Sequence, residues 1–533
     1  MEKKTFLVGA VILGIAGLLV QVLGAVFRIP LANIIGPAGM GYYQTAYPLY
    51  VFLLVFSTNG APAAISKMTS ERLAVGRVRD AHRVFKQAFL LMTVVGLVAF
   101  LAVFLGAESI VSAFGDPGAV LAMKAIAPAL LIVPIMSVYR GYFQGMQNMG
   151  PTATSQLVEQ GVRVAVGLSL AVLWMKHGIE QAAAGATIGT SVGPVAGVLV
   201  LALIYNLRRK KILSDLEEDL NTAKESGKDI LKTLLWIAVP ITIGVSILPI
   251  INLGDLFVLM NRLSNSGFTL EEANVLYGQL SGMVGPIINI PMALALSMAL
   301  ALVPAIASAK ASNDLKLLER NIQLGFRTAM IVGVPCSFGL IILAKPIMTL
   351  LYPLEMDSAV NASGSLAYLA MGVIFLCIAQ TMAGTLQGLG KPGVAVVGLS
   401  IGFIVKLLAT YILSGIPALN MEGAAIASAI AYATIGLFNL WAVKKKTGIN
   451  FDPMQSVYKP VLAGIIMFIT AGLSYRIFDS VLGNSLACLI AIFAAALAYI
   501  VVILRIKGIT KEEIRGFPKG EEIASLLIKL RLI

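Results

Sequence analysis

Six ionisable residues sit in apolar surroundings where charge is costly: Arg28, Glu159, Arg163, Asp255, Arg262 and Lys406. A charged side chain at the centre of a bilayer costs about 3 kcal/mol on insertion scales and by default marks a binding site or an ion path. Four of the six are cations. Fixed cations in a low-dielectric chamber suit an anionic cargo, and the arginine fork matches phosphate oxygens. Arg163 lies about twelve residues into its apolar run, ~18 Å along a helix and so near a bilayer midplane. Glu159 precedes it by one turn, the favourable order for a Glu–Arg pair on one helix face. Lys406 lies at a similar depth in a later run. Two readings of these three stay open: opposed cations that bind an anion, or a structural Glu159–Arg163 bond beside a lysine that snorkels to the surface. Arg28 closes the first apolar run yet is followed by Ile29 to Ile35, so it faces a cavity or reaches outward. Asp255 and Arg262 share a helix face and either border the site or sit at the interface. Arg262 is the second-half counterpart of Arg28.

Neither hydrolytic nor redox chemistry is written into the chain. No Ser-His-Asp, Cys-His or paired-carboxylate arrangement accompanies these charges. Gly388-Leu389-Gly390-Lys391-Pro392 lacks the spacing and the hydroxyl of a nucleotide-binding loop, so ATP is not the energy source. Cys336, Cys377 and Cys488 lie in apolar runs without partners at metal or redox spacing and read as small core residues. With only His82 and His177 as histidines, no zinc site is expected. The expectation is a protein that is no enzyme and carries no cofactor.

The elements that must position these charges are membrane helices. The 533 residues are 58% hydrophobic and 13% charged, with a mean hydropathy of +0.89, where soluble domains carry roughly 25% charge. Apolar stretches predict spans near 6–27, 42–62, 86–106, 119–142, 152–174, 182–206, 231–258, 275–303, 322–344, 358–385, 393–413, 420–442, 457–478 and 483–505. Lys3 and Lys4 precede the first run, but it continues to Val26, longer than a signal-peptide core, and reads as a span. Basic residues cluster on one side, at Lys67 to Arg83, Arg208 to Lys211, Lys310 to Arg320, Lys444 to Lys446 and the tail. That asymmetry puts both termini in the cytoplasm, requires an even number of spans, and accounts for the net charge of +13 without a nucleic-acid partner.

The two halves echo each other. Pro62-Ala63-Ala64-Ile65-Ser66-Lys67 recurs as Pro304-Ala305-Ile306-Ala307-Ser308-Ala309-Lys310, and Gly141-Tyr142-Phe143-Gln144-Gly145 as Gly384-Thr385-Leu386-Gln387-Gly388, at nearly one offset. Gly185-Ala186-Thr187 pairs with Gly423-Ala424-Ala425 at a slightly shorter offset. The predicted fold is therefore an all-α membrane protein of about fourteen transmembrane helices: two pseudo-symmetric six-helix lobes plus two C-terminal helices. The lobes cover 1–206 and 231–446, joined by a cytoplasmic linker, 207–230. Helices 13 and 14 cover 447–505, and 506–533 form a cytoplasmic tail. Parallel repeats of this kind place a substrate site between lobes, where the echo sets Lys406 opposite Arg163. In the tail, Ile523, Leu526, Leu527 and Leu530 suit a helix lying on the leaflet or docked on the protein. Prolines 128, 134, 240, 249, 286 and 291 kink spans 4, 7 and 8, lining a cavity or simply packing.

Several segments carry a resemblance. Arg28-Ile29-Pro30-Leu31, Ile35-Gly36-Pro37-Ala38-Gly39, Tyr42-Tyr43-Gln44, Gly60 to Lys67, and Gly141 to Thr152 running into Ser155 to Gln160 and Arg163 resemble the polysaccharide transporters related to stage V sporulation protein B. The likeness spans essentially the whole chain. It implies the multidrug/oligosaccharidyl-lipid/polysaccharide exporter (MATE-like) superfamily, in the branch of the MurJ-type lipid II flippases. It further implies a monomer in the bacterial plasma membrane that flips undecaprenyl-pyrophosphate-linked disaccharide-pentapeptide by alternating access, with a tail groove formed by helices 13 and 14. Such flippases hold the pyrophosphate with arginines. Only Arg28 has a match here, because 42–62 and 275–303 contain no arginine; Arg163, Lys406 and Arg262 are expected to supply the missing charge. A flippase for another polyprenyl-linked glycan and a drug/cation antiporter are the alternatives within the fold, and a scaffold without transport is the alternative outside it. The antiporter needs cavity carboxylates, which the first span lacks.

Overall fold

The computed structural model describes residues 2–217, 225–416 and 418–509, and among them there are helices and turns but no strand. The amphipathic pattern anticipated at Ile523 to Leu530 lies outside the described residues. Two compact units emerge, Met1–Gly282 and Met283–Ile533.

The first unit contains α1 (Glu2–Val55), α2 (Ala61–Ala74), α3 (Val78–Ala113), α4 (Val120–Gly145), α5 (Gly150–Trp174), α6 (Ile179–Glu217), α7 (Gly227–Val245), α8 (Ile247–Asn265) and α9 (Leu270–Tyr277). The second contains α10 (Gly285–Ala311), α11 (Leu315–Ile342), α12 (Ala344–Leu351), α13 (Met356–Met371), α14 (Val373–Gly388), α15 (Pro392–Leu413), α16 (Asn420–Thr447) and α17 (Lys459–Arg505). Among the described residues, ten helical segments are long and apolar enough to cross a bilayer, or eleven when α13 and α14, bent by 43°, form one crossing. The apolar surplus faces outward. In α3 the most apolar window is only 22% buried, and Leu90, Val98 and Leu105 are exposed, an arrangement suited to lipid rather than water.

Two of the long helices are hairpins, which explains why fewer segments are found than the hydropathy reading anticipated. In α17, Lys459 Nζ donates to the Lys507 carbonyl at 3.1 Å, although an unbroken helix would separate them by ~70 Å. The reversal is at Gly483, with φ 73° and ψ 166°, and both arms enter one core with Leu343 through Ala463, Met467, Ala495 and Tyr499. In α1 the reversal is at Gly36, with φ 65° and ψ −178°. No loop of the anticipated length, 28–41, separates the first two spans. These dihedrals are open essentially only to glycine, and Pro37 follows where its missing N–H is harmless.

Other differences are local. The anticipated span 231–258 is two helices broken at Ser246, between Pro240 and Pro249, and span 358–385 is two helices meeting at Gly372. Span 4 stays continuous, with Pro128 and Pro134 inside α4. Polar contacts hold the start of α7 to α2 and α3: Glu225 pairs with Arg72 and with Arg77, and Arg77 and Arg83 flank the buried Asp80. Ile230, Leu234 and Ala238 complete that contact in a core with Ile65, Met68 and Phe85.

Replacing Gly36 by Ala forces a side chain into the glycine-only region at a cost of about 1–3 kcal/mol. The variant should unfold at lower temperature in detergent, whereas Ala at Gly161, which meets nothing within 4 Å, should be neutral or slightly stabilising. Equal unfolding temperatures for wild type and the Gly36 variant would contradict the hairpin account.

Candidate functional site

The Gly36 reversal folds the first arm of α1 onto the second. Arg28 and Tyr47 would stand ~28 Å apart along a straight helix, yet the Arg28 guanidinium carbon lies 5.3 Å from the Tyr47 ring centroid. Phe27 and Tyr43 meet likewise, with centroids 6.1 Å apart. On the second arm Tyr43, Tyr47 and Tyr50 fall at helical spacing and pack in series, each centroid 5.8 Å from the next. The turn is held from outside by Asn274 of α9, whose amide donates to the Ala38 carbonyl at 2.9 Å, and by Gln44, which donates to the Ser281 carbonyl at 2.7 Å.

α5 brings the second cation. Arg163 stands at its middle, donates through Nη2 to the Tyr43 hydroxyl at 2.8 Å, and lies 5.4 Å from the Tyr47 centroid and 5.8 Å from that of Phe27. Arg28 and Arg163 thus share one aromatic ring. Cation–π contacts offset part of the cost of burying each charge, about 1–2 kcal/mol when desolvated. Neither arginine has an acidic partner at salt-bridge distance among the described residues. The rotation of α5 is set by α6, whose glycine stripe packs against it: a side chain on Gly189 would strike the Arg163 carbonyl, and one on Gly193 the Glu159 carbonyl. Small residues at four-residue spacing allow that approach.

Glu159 is not bonded along its own helix to Arg163. It accepts from Arg140 Nη2 of α4 at 2.7 Å, and the same guanidinium reaches Ser155 through Nε at 3.0 Å. Sequence spacing offered the i,i+4 pair; the cross-helix pair, nineteen positions apart, has no local signature. Arg140 was therefore missed. So was the tyrosine ladder, although its 43/47/50 spacing was visible as one helix face. A cavity of about 330 Å³ opens beside Arg163, bounded by α1, α2, α4 and α5.

The remaining anticipated residues are elsewhere. Asp255 and Arg262 are half-buried on α8, and Asp255, Asp116 and Arg28 all lie within electrostatic range of Tyr277. Lys406 is half-buried on α15 of the second unit. Among the described residues no cluster of three His, Cys, Asp or Glu side chains could hold a metal ion.

One buried acid lies just beyond the end of α3. Asp116 is 2% exposed and accepts from the Thr45 hydroxyl at 2.7 Å, tying that connection to the tyrosine arm. Burial pushes its carboxyl up to about 6; the Thr45 hydrogen bond opposes this, and Glu180 adds to it.

Known proteins resemble this chain in sequence and in fold. The family model described as polysaccharide biosynthesis protein matches residues 6–310, and that described as MatE matches residues 281–412. The chain is 28% identical to Stage V sporulation protein B of Bacillus subtilis over 97% of its length and 98% of that protein. It is 29% identical to Lipid II flippase MurJ of the same organism, over 89% and 88%. Among solved structures, Lipid II flippase MurJ in an inward closed conformation superposes with a TM-score of 0.69 at 17% identity, over 92% of this chain and 97% of that one.

An aspartate in an unfolded chain titrates near 3.9, so folded Asp116 keeps its proton from there up to about 6. Its contribution to stability is full below the unfolded value and is lost as pH rises through the folded one. Asp116→Asn should flatten the pH dependence of thermal unfolding in that window, by on the order of 1–3 kcal/mol, and be no less stable than wild type at pH 7. A profile identical to wild type would contradict the assignment.

Proposed function

The chain belongs to the family of polysaccharide biosynthesis proteins, and from that premise we propose that it flips a polyprenyl-pyrophosphate-linked glycan across the plasma membrane, with lipid II as the cargo. It is a multi-pass membrane transporter of the multidrug/oligosaccharidyl-lipid/polysaccharide exporter superfamily. The observation that carries the reading of its cargo is the pair of guanidinium groups, Arg28 and Arg163, held over Tyr47 without a carboxylate. Such a pair repels cations and welcomes a pyrophosphate. Glu159, one turn from Arg163 on α5, is paired with Arg140, which disfavours a cation antiporter.

In this reading Arg28 and Arg163 bind the phosphates, Arg140 and Glu159 set the local charge, and Asp255, Arg262 and Lys406 contribute from the later helices. Dividing α1 at Gly36 and α17 at Gly483, running α2 on from the second arm of α1, leaving aside the eight-residue α12, and counting α7 with α8, α9 with α10 and α13 with α14 as single crossings, this reading takes fourteen spans with both termini cytoplasmic. The lobes 1–206 and 231–446 alternate access, 207–230 joins them, and 447–505 serves the lipid tail. The protein acts as a monomer.

Purified protein in liposomes, with inner- and outer-leaflet lipid II measured separately, tests this directly. A charge-assisted hydrogen bond is worth about 1.5–3 kcal/mol, so Arg28→Ala and Arg163→Ala should each slow flipping roughly 10- to 100-fold while the protein still inserts and unfolds cooperatively. Wild-type flipping by both variants, or drug efflux by the wild type in place of lipid movement, would overturn the proposal.

A further inference from the structure

The cavity beside Arg163 has a wall made by one stripe of α5. Thr152, Gln156, Glu159, Gln160 and Arg163 follow one another at helical spacing and all line it. Glu159 is taken by Arg140. Three of the others carry buried polar atoms with no partner among the described residues: Thr152 Oγ1, Gln156 Oε1 and Arg163 Nε. Their neighbours behave differently. The hydroxyls of Thr58 and Ser137, also on the cavity, are satisfied by carbonyls of their own helices, Leu54 at 2.9 Å and Pro134 at 2.6 Å. Thr152 is only 1% exposed. An orphaned buried polar atom costs about 1–3 kcal/mol, so three around one cavity point to a group that completes them.

We propose that this cavity is a hydrogen-bonding subsite for one neutral sugar ring of the lipid-linked head group, next to the phosphate-binding arginines. The inference rests on the flippase reading and deepens it by giving the glycan its own determinant. The chemistry of the orphaned atoms selects the ligand class. Gln156 Oε1 only accepts, Arg163 Nε only donates, and Thr152 does either. A halide, sulfate or fully ionised phosphate cannot donate to Gln156, and a quaternary or apolar drug can serve neither Gln156 nor Arg163, whereas a sugar hydroxyl both donates and accepts. The wall also has an apolar part, Val20, Pro62, Val133 and Met136, which suits the C–H face of a pyranose. About 330 Å³ is at the small end of ligand sites, which run from roughly 300 Å³ upward, enough for a single ring.

The test measures affinity of the full chain in nanodiscs for two probes: bare undecaprenyl pyrophosphate, and the same lipid carrying an N-acetylhexosamine disaccharide. Two lost hydrogen bonds at about 1 kcal/mol each correspond to a preference of roughly tenfold or more for the glycosylated probe. Thr152→Val and Gln156→Leu should each remove most of that preference and leave affinity for the bare lipid within about twofold of wild type, while Thr152→Ser keeps it. Arg163→Ala should weaken both probes. No preference in the wild type, or a preference that survives both substitutions, overturns the subsite alone and makes the cavity a water-filled one. No binding of the bare lipid by the wild type overturns the cationic reading, and this inference with it.

Discussion

Two guanidinium groups share one tyrosine ring, and most of the first unit exists to make that tolerable. Like charges in a low-dielectric interior repel, and each also loses hydration. The protein offsets this with aromatic faces rather than carboxylates: Tyr47 against both arginines, Phe27 beside Arg163, and the Tyr43 hydroxyl as an acceptor. Aromatic rings stabilise a cation without neutralising it, so the pair keeps its positive field. A carboxylate in the same place would have cancelled that field. Glu159, one turn away on α5, is paired instead with Arg140 of α4.

The scaffold follows from that requirement. Arg28 reaches Tyr47 only because the chain reverses within a single residue at Gly36, and the reversal is pinned by Asn274 and Gln44 through backbone carbonyls. Arg163 reaches the same ring only because α6 approaches α5 through glycines at 189 and 193, which fixes the rotation of α5. Thr45 and Asp116 anchor the tyrosine arm at its other side. Outward-facing leucines and valines on α3 complete the logic, since lipid accepts them and leaves the interior to polar groups.

Much of this was legible in the residues alone. Composition and apolar runs pointed to a helical membrane protein, and the family resemblance rested on the stretches that build the site, Arg28 to Gln44 and Gly141 to Arg163. Arg28 and Arg163 were singled out because charge in an apolar run is expensive. What could not be read is what depends on helices meeting. Glu159 was matched to Arg163 because four-residue spacing is the only pairing a linear chain displays; its partner Arg140 comes from another helix. The apolar runs left 28–41 between the first two anticipated spans, yet helix continues on both sides of one glycine, Gly36. Hydropathy likewise cannot distinguish a long helix from a hairpin folded at Gly483.

The central claim is that the phosphate group of the cargo contacts Arg28 and Arg163 together. Solid-state NMR distance measurements between the phosphorus nuclei of undecaprenyl pyrophosphate and isotope-labelled arginine guanidinium nitrogens, on the protein in lipid bilayers, examine it most directly. The account predicts short phosphorus–nitrogen contacts, of hydrogen-bond range, that are lost in part when either Arg28 or Arg163 is replaced by Lys. Contacts that are absent, or that survive both replacements unchanged because other arginines make them, would contradict it.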